Sequence, residues 1–160
     1  MADMDAFCAM EQDAEVRRYV GGNPRSREDA ERRFLNGLAQ PVQNRLSMWA
    51  TILKETGRYI GRCGIYPHFD NDGIPTKDEG SLAFYLAHEY WGNGYATEAG
   101  RAFIRFGFDE LNVKRIVTTI DARNAASIHI IEKLGLTLAS TEPGVRTFLH
   151  YELTKANYNS

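Results

Sequence analysis

Cysteine, proline and net charge are all scarce in this 160-residue chain, and each scarcity closes off a class of protein. The 2 cysteines, Cys8 and Cys63, cannot build a disulfide framework and show neither redox nor metal-ligand spacing. Both thiols are therefore expected to be reduced. The 5 prolines are scattered, and neither repeats nor low-complexity tracts occur, so residues 1–160 read as one domain long enough to bury a core. A formal net charge of −2 carries no polybasic footprint, which argues against nucleic acid or a membrane surface as partner. No apolar run approaches the ~20 residues that span a bilayer, and no basic stretch precedes an apolar core at the N-terminus. The expectation is a cytoplasmic protein. His68, His88, His129 and His150 lack ligand spacing, so no metal is expected. What remains is an ordinary globular balance, 43% hydrophobic and 25% charged.

Along the chain the signals alternate. Residues 6–20 carry a helical pattern that closes at Gly21-Gly22-Asn23-Pro24. Ser26, followed by Asp29, opens a second helix that runs to Leu38, ahead of Gln40-Pro41. Residues 46–54 and 58–66 alternate as strands and meet at Glu55-Thr56-Gly57, a hairpin turn. Residues 67–78, rich in Asp, Gly and Pro, read as a loop that includes His68. A strand over 81–87 leads to a long helix over 95–110, then to a β-branched strand over 115–121 and a helix opening at Asn124. Two closing strands, 136–140 and 146–153, flank the turn Glu142-Pro143-Gly144. Phe103, Phe106 and Phe108 recur on the long helix as core residues. This order argues for one α/β domain on a mixed sheet.

The most informative stretch is Tyr90-Trp91-Gly92-Asn93-Gly94-Tyr95-Ala96-Thr97-Glu98-Ala99, at a strand-to-helix junction. Its glycines permit a tight turn and carry no Cβ to obstruct a ligand. The following helix offers unpaired first-turn amides and the positive end of its dipole, a setting that binds phosphate or pyrophosphate. The P-loop pattern is excluded because no Gly-Lys-Ser/Thr follows. The dinucleotide pattern fails at its third glycine, where Thr97 stands. A turn that binds nothing and a nucleotide-binding module both stay open on these residues alone. Downstream, Asn124 suits a helix N-cap, Ser127 the N3 position and Gly135 the C′ position, and capping by itself explains all of them.

Together the two stretches resemble the GNAT superfamily of N-acyltransferases. The acyl-CoA loop of that family runs Gln/Arg-x-x-Gly-x-Gly/Ala. The branch containing the ribosomal-protein N-terminal acetyltransferases has a Trp-Gly-x-Gly-x-Ala-Thr-Glu-Ala form, and here Trp91 takes the Gln/Arg place. Asn124-Ala125-Ala126-Ser127 with Glu132-Lys133-Leu134-Gly135-Leu136 is similar to the family's Asn-x-x-Ser…Glu-Lys-Leu-Gly-Phe. The resemblance covers roughly residues 13–151. It implies a mixed, mostly antiparallel central sheet, splayed where acyl-CoA enters, with helices on both faces. It also implies acetyl-CoA as co-substrate. Amides of Trp91, Gly92, Asn93, Gly94, Tyr95, Ala96 and Thr97 would hold the pyrophosphate. The pantetheine would add like a short strand beside Tyr85, Leu86 and Ala87, with Asn124 on its arm and Ser127 or a nearby Tyr facing the sulfur.

Acyl transfer to an amine needs a base for the nucleophile, a donor for the developing oxyanion and help for the departing thiolate. The resemblance puts the carbonyl donor on the backbone of Phe84-Tyr85-Leu86 and makes Ser127 the leaving-group donor. Glu79, two residues before the matching strand position Ser81, is the candidate base, though a carboxylate at a strand edge is more often simply solvated. His68 and His88 are further candidates, each expected in a loop as a surface residue. Tyr151 either lines the cleft or belongs to the core. The acceptor is a primary amine, on a small molecule or a protein N-terminus. No cysteine is placed for an acyl intermediate, so direct attack in a ternary complex is expected. A non-catalytic acyl-CoA sensor is the alternative.

The family opens with a strand before its first helix, and Met1 to Ala9 holds no β-branched residue. The expectation is a sheet with a bare edge, covered by a second protomer (a homodimer), by charge or by nothing, or else a gene start farther upstream.

Overall fold

The computed structural model describes residues 2–39, 46–70 and 72–158. Helix α1 (Ala2–Gln12) and the short α2 (Ala14–Arg17) replace the single helix expected over 6–20. The break is at Asp13, whose backbone is extended and whose carboxylate accepts from the Glu15 amide at 2.8 Å. An Asp side chain offered its own backbone a new cap, and helix propensity on either side did not override it. Helix α3 (Arg27–Ala39) starts as expected, with the Ser26 hydroxyl accepting from the Asp29 amide. Gln40-Pro41 lie outside the described residues.

Strands β1 (Ser47–Leu53) and β2 (Arg58–Phe69) form the expected hairpin, but β2 continues past residue 66 and β3 begins at Pro75 (Pro75–Leu86). Most of the segment expected as a loop is thus a second hairpin, with Phe69 opposite Pro75. Its turn is organised by the Asp70 carboxylate, which accepts from the amides of Asp72 and Ile74. Helix α4 (Tyr95–Asp109), strand β4 (Arg115–Asp121) and helix α5 (Ala125–Lys133) follow, then β5 (Thr137–Glu142), β6 (Phe148–Thr154) and a closing turn of helix, α6 (Lys155–Tyr158).

The sheet runs β1-β2-β3-β4-β6-β5, mixed, with β3 and β4 its parallel pair. Side chains alternate across it. One face, carrying Ile65, Leu82, Ile116, Ile120 and Leu153, packs on Ile104 and Phe108 of α4 and Ile131 of α5. The other, near β2, packs Tyr59 and Tyr85 against Phe7 and Met10 of α1 and Phe34 of α3. Tyr151 is core, 4% exposed, and donates to Glu132 on α5. At the outer edge, β1 exposes Trp49 and Ile52.

Candidate active site

Strands β3 and β4 leave the same end of the sheet in parallel and then part. Their register holds Glu79 beside Arg115, Gly80 beside Ile116 and Ser81 beside Val117, and stops there. Beyond Ser81, residues 82–86 and 118–121 no longer pair, and their unpaired edges border the candidate slot. On its far side β3 stays paired with β2, Phe84 opposite Cys63 and Leu86 opposite Gly61. Gly61 has φ 151° and a Cβ there would lie 2.2 Å from the Tyr85 carbonyl oxygen, so only glycine lets β2 approach so closely. A register shift next to it, between Thr51 and Ile52 of β1, marks a bulge in the sheet.

Both strands feed helix N-termini at the mouth of the slot. Crevices outside the carboxyl ends of parallel strands are the usual ligand sites of open α/β sheets. On the β3 side, Gly92 (φ 77°) and Gly94 (φ 81°) are left-handed, and a Cβ added at either would meet no atom within 4 Å, so the loop encloses open space. Gly94 is the N-cap of α4, and its carbonyl accepts from the Glu98 amide. The amides of Tyr95, Ala96 and Thr97 precede the first intrahelical bond and face that space as donors. Trp91 is bonded within the loop. Its backbone amide donates to the His88 carbonyl, and its indole N–H donates to the Leu86 carbonyl at 2.8 Å. It pins the loop to the end of β3. Asn93 acts likewise, its amide nitrogen reaching the carbonyls of Tyr90 and Trp91.

On the β4 side, the Asn124 side chain accepts from the Ser127 amide at 3.2 Å, so the expected cap is formed. Ser127 is half-buried in the first turn of α5. Just before it, the buried Asp121 carboxylate is held by Arg123 and by Arg146, at 2.7 Å in each case. Hydrogen bonds from Arg123, followed by those from Arg146, hold Asp121 well below the usual carboxylate range against the opposing effect of burial. Arg146 also donates to the Tyr19 carbonyl, tying the turn between β5 and β6 to the segment after α2 across this end of the sheet.

Residue 79 is on the opposite face of β3 from the α4 core. Glu79 accepts from Arg115 twice through Oε1, and Arg115 continues to Glu152. His68 is on strand β2 rather than in a loop. Its Nδ1 lies 3.0 Å from the Ser81 hydroxyl and its Nε2 3.9 Å from Glu79 Oε2. His88 does fall in a loop, half-exposed on a single 3-10 turn with its ring 4.6 Å from Trp91. Cys63 and Cys8 are buried, and burial pushes the Cys63 thiol up to about 12. Among the described residues, no group of three His, Cys, Asp or Glu side chains is placed to hold a metal, and no helix is long and apolar enough to cross a membrane.

The profile of the acetyltransferase (GNAT) domain matches residues 1–137. The chain belongs to the GNAT family.

Relatives agree with that placement. An uncharacterized Bacillus subtilis (strain 168) protein, YkkB, is 36% identical over 96 residues, which are 60% of this chain and 54% of YkkB. The chain thus spans about half the length of that relative. The uncharacterized N-acetyltransferase p20 of Bacillus licheniformis is 28% identical over 84% of this chain and 73% of its own. Among solved structures, a GNAT acetyltransferase from Bacillus anthracis superposes with a TM-score of 0.83 at 19% identity, covering 96% of this chain and 90% of the other. Spermidine N-acetyltransferase from Vibrio cholerae, solved with CoA and spermine, superposes at 0.78 and 14% identity over 99% and 93%. These two likenesses establish the GNAT fold.

Within a GNAT frame, two features had little signal in sequence. The His68–Ser81–Glu79 group depends on a hairpin that composition hid. The tie from Arg146 to Asp121 and Tyr19 joins residues 25 and 127 positions apart. No local pattern reports a contact at that separation.

Proposed function

We propose that this GNAT protein transfers the acetyl group of acetyl-CoA to a primary amine by direct attack within a ternary complex. The observation that carries this is the slot between β3 and β4 opening onto the Gly92/Gly94 loop. A pantetheine can add along residues 82–86, with Tyr85, Leu86 and Ala87 nearest the mouth, and its pyrophosphate can take the amides at the start of α4. Ser127 stands as donor to the departing sulfur, Asn124 as a contact to the arm, and Glu79 as the carboxylate on the acceptor side. The spermidine enzyme, solved with CoA and spermine, supports acetyl-CoA as the donor and a cationic amine as acceptor class. A protein N-terminus, as in the ribosomal-protein branch, is the competing acceptor. Direct attack is supported by the buried Cys63, whose raised pKa leaves it protonated near neutrality and unsuited to carry an acyl group.

Calorimetric titration with acetyl-CoA, ATP and NAD tests the cofactor. Acetyl-CoA alone should bind, in the micromolar range; equal or tighter binding of ATP or NAD would turn the site into a nucleotide module. The Cys63→Ala variant should keep wild-type turnover. Its loss, with acetyl-CoA still bound, would contradict direct attack. Acetyl-CoA binding with no turnover on any amine would favour a sensor.

A further inference from the structure

We propose that His68 is the general base for the acceptor amine, reached through the Ser81 hydroxyl, with Glu79 as the positioning carboxylate behind it. This rests on the acetyl-transfer reading above and assigns its missing proton acceptor. Ser81 is the last residue of β3 paired with β4, so its hydroxyl marks the closed end of the slot. With the thioester sulfur near Ser127, the acceptor amine would approach the thioester carbon from the closed side, toward Ser81. Ser81 is 7% exposed, and a hydroxyl so placed needs partners. It has His68 Nδ1 at 3.0 Å and the Tyr66 phenol directly across the strand pair.

The groups around His68 are set by its neighbours on β2, β3 and β4. Glu79 Oε2 faces Nε2 at 3.9 Å, and Tyr66, whose phenol burial pushes up, stays neutral. Arg115 of β4 is spent on Glu79 Oε1 and on Glu152 of β6, which leaves one net negative charge in that trio. These are the charged and titratable groups facing His68 among the described residues. Glu79 is engaged by the Arg115 guanidinium, and Ser81 stands between it and the slot. The His68 side chain is 32% exposed, so a proton taken there can pass to solvent.

The step balances without a further reactant. The acceptor ammonium gives a proton to Ser81 Oγ as the Ser81 proton passes to His68 Nδ1. The freed amine lone pair forms the C–N bond to the thioester carbon, and the carbonyl π pair moves to oxygen. Collapse re-forms the carbonyl and breaks C–S, and the second, now acidic, N–H proton ends on sulfur. The products are an amide, a thiol and the proton on His68, which leaves to water.

The test uses the full chain with acetyl-CoA and three amines: spermidine, cadaverine and a tripeptide with a free N-terminus. His68→Gln should lower kcat about 100-fold or more, the size of a lost general base, with acetyl-CoA affinity unchanged. In His68→Gly, added imidazole should restore at least a tenth of the lost rate, which a purely structural role does not predict. A kcat within threefold of wild type, or no rescue in a His68→Gly protein that still binds acetyl-CoA, overturns the proposal. If both His68 variants fail to fold, Ser81→Ala decides it. A fall in kcat of about tenfold or more supports the relay, and a kcat within threefold overturns it. Wild type that binds acetyl-CoA yet acetylates none of the three contradicts the transfer reading itself, and the role of His68 falls with it.

Discussion

A few side chains set the geometry of this site, and they do so through charge held out of water. Asp121 is the clearest case, with its carboxylate enclosed and two guanidiniums on it. Its folded pKa is depressed, so the stability it contributes is full above the unfolded carboxylate value of ~3.9 and is lost as pH falls below that. Asp121→Asn should cost roughly 1–3 kcal/mol near neutral pH, the scale of hydrogen bonds to charged groups. The gap to wild type, read by urea melts, should narrow as pH drops below ~4. A gap that widens there would contradict the assignment. Residue identities made part of this site readable. Gly92, Gly94, Asn124 and Ser127 act in one local turn each, and a local turn writes itself into adjacent letters. Trp91 was less readable, because its indole donates to a carbonyl five residues back.

At the scale of elements, the loop before α4 does two things that a substitution can separate. Gly94 needs a left-handed backbone, and its missing Cβ leaves the space in front of the helix open. Gly57, in the β1–β2 hairpin far along the sheet, is also left-handed with open space around it. An alanine at either should cost about 1–2 kcal/mol of backbone strain. Only Gly94→Ala should weaken acetyl-CoA, by tenfold or more in calorimetry, with Gly57→Ala at wild-type affinity. Equal affinities in the two variants would reduce the loop to a turn. The elements themselves were mostly legible, since α4, β4 and α5 show clean periodicity. Two were not. Asp13 split a helix by capping its own backbone, and Asp70 folded a polar, Gly- and Pro-containing stretch into a hairpin. In both, one carboxylate outweighed the composition around it.

Across the whole molecule, the sheet is anchored on both faces and left open in the middle. The core under α4 and α5 gathers residues of β2, β3, β4 and β6 on one face, and the core under α1 and α3 covers β2 and β3 on the other. Between them the parallel pair is short, three rungs ending at Ser81 and Val117. Alternation along the strands gave the class of fold. The length of that ladder was invisible, because register belongs to two segments some 36 residues apart. The central claim is that this opening, with its two helix N-termini, takes acetyl-CoA. Amide NMR spectra recorded during titration with acetyl-CoA test it most directly. The largest shifts should fall at residues 82–87, 92–97 and 124–127. Shifts confined to other surfaces, such as the groove between α3 and β1, or none at saturating ligand, would contradict it.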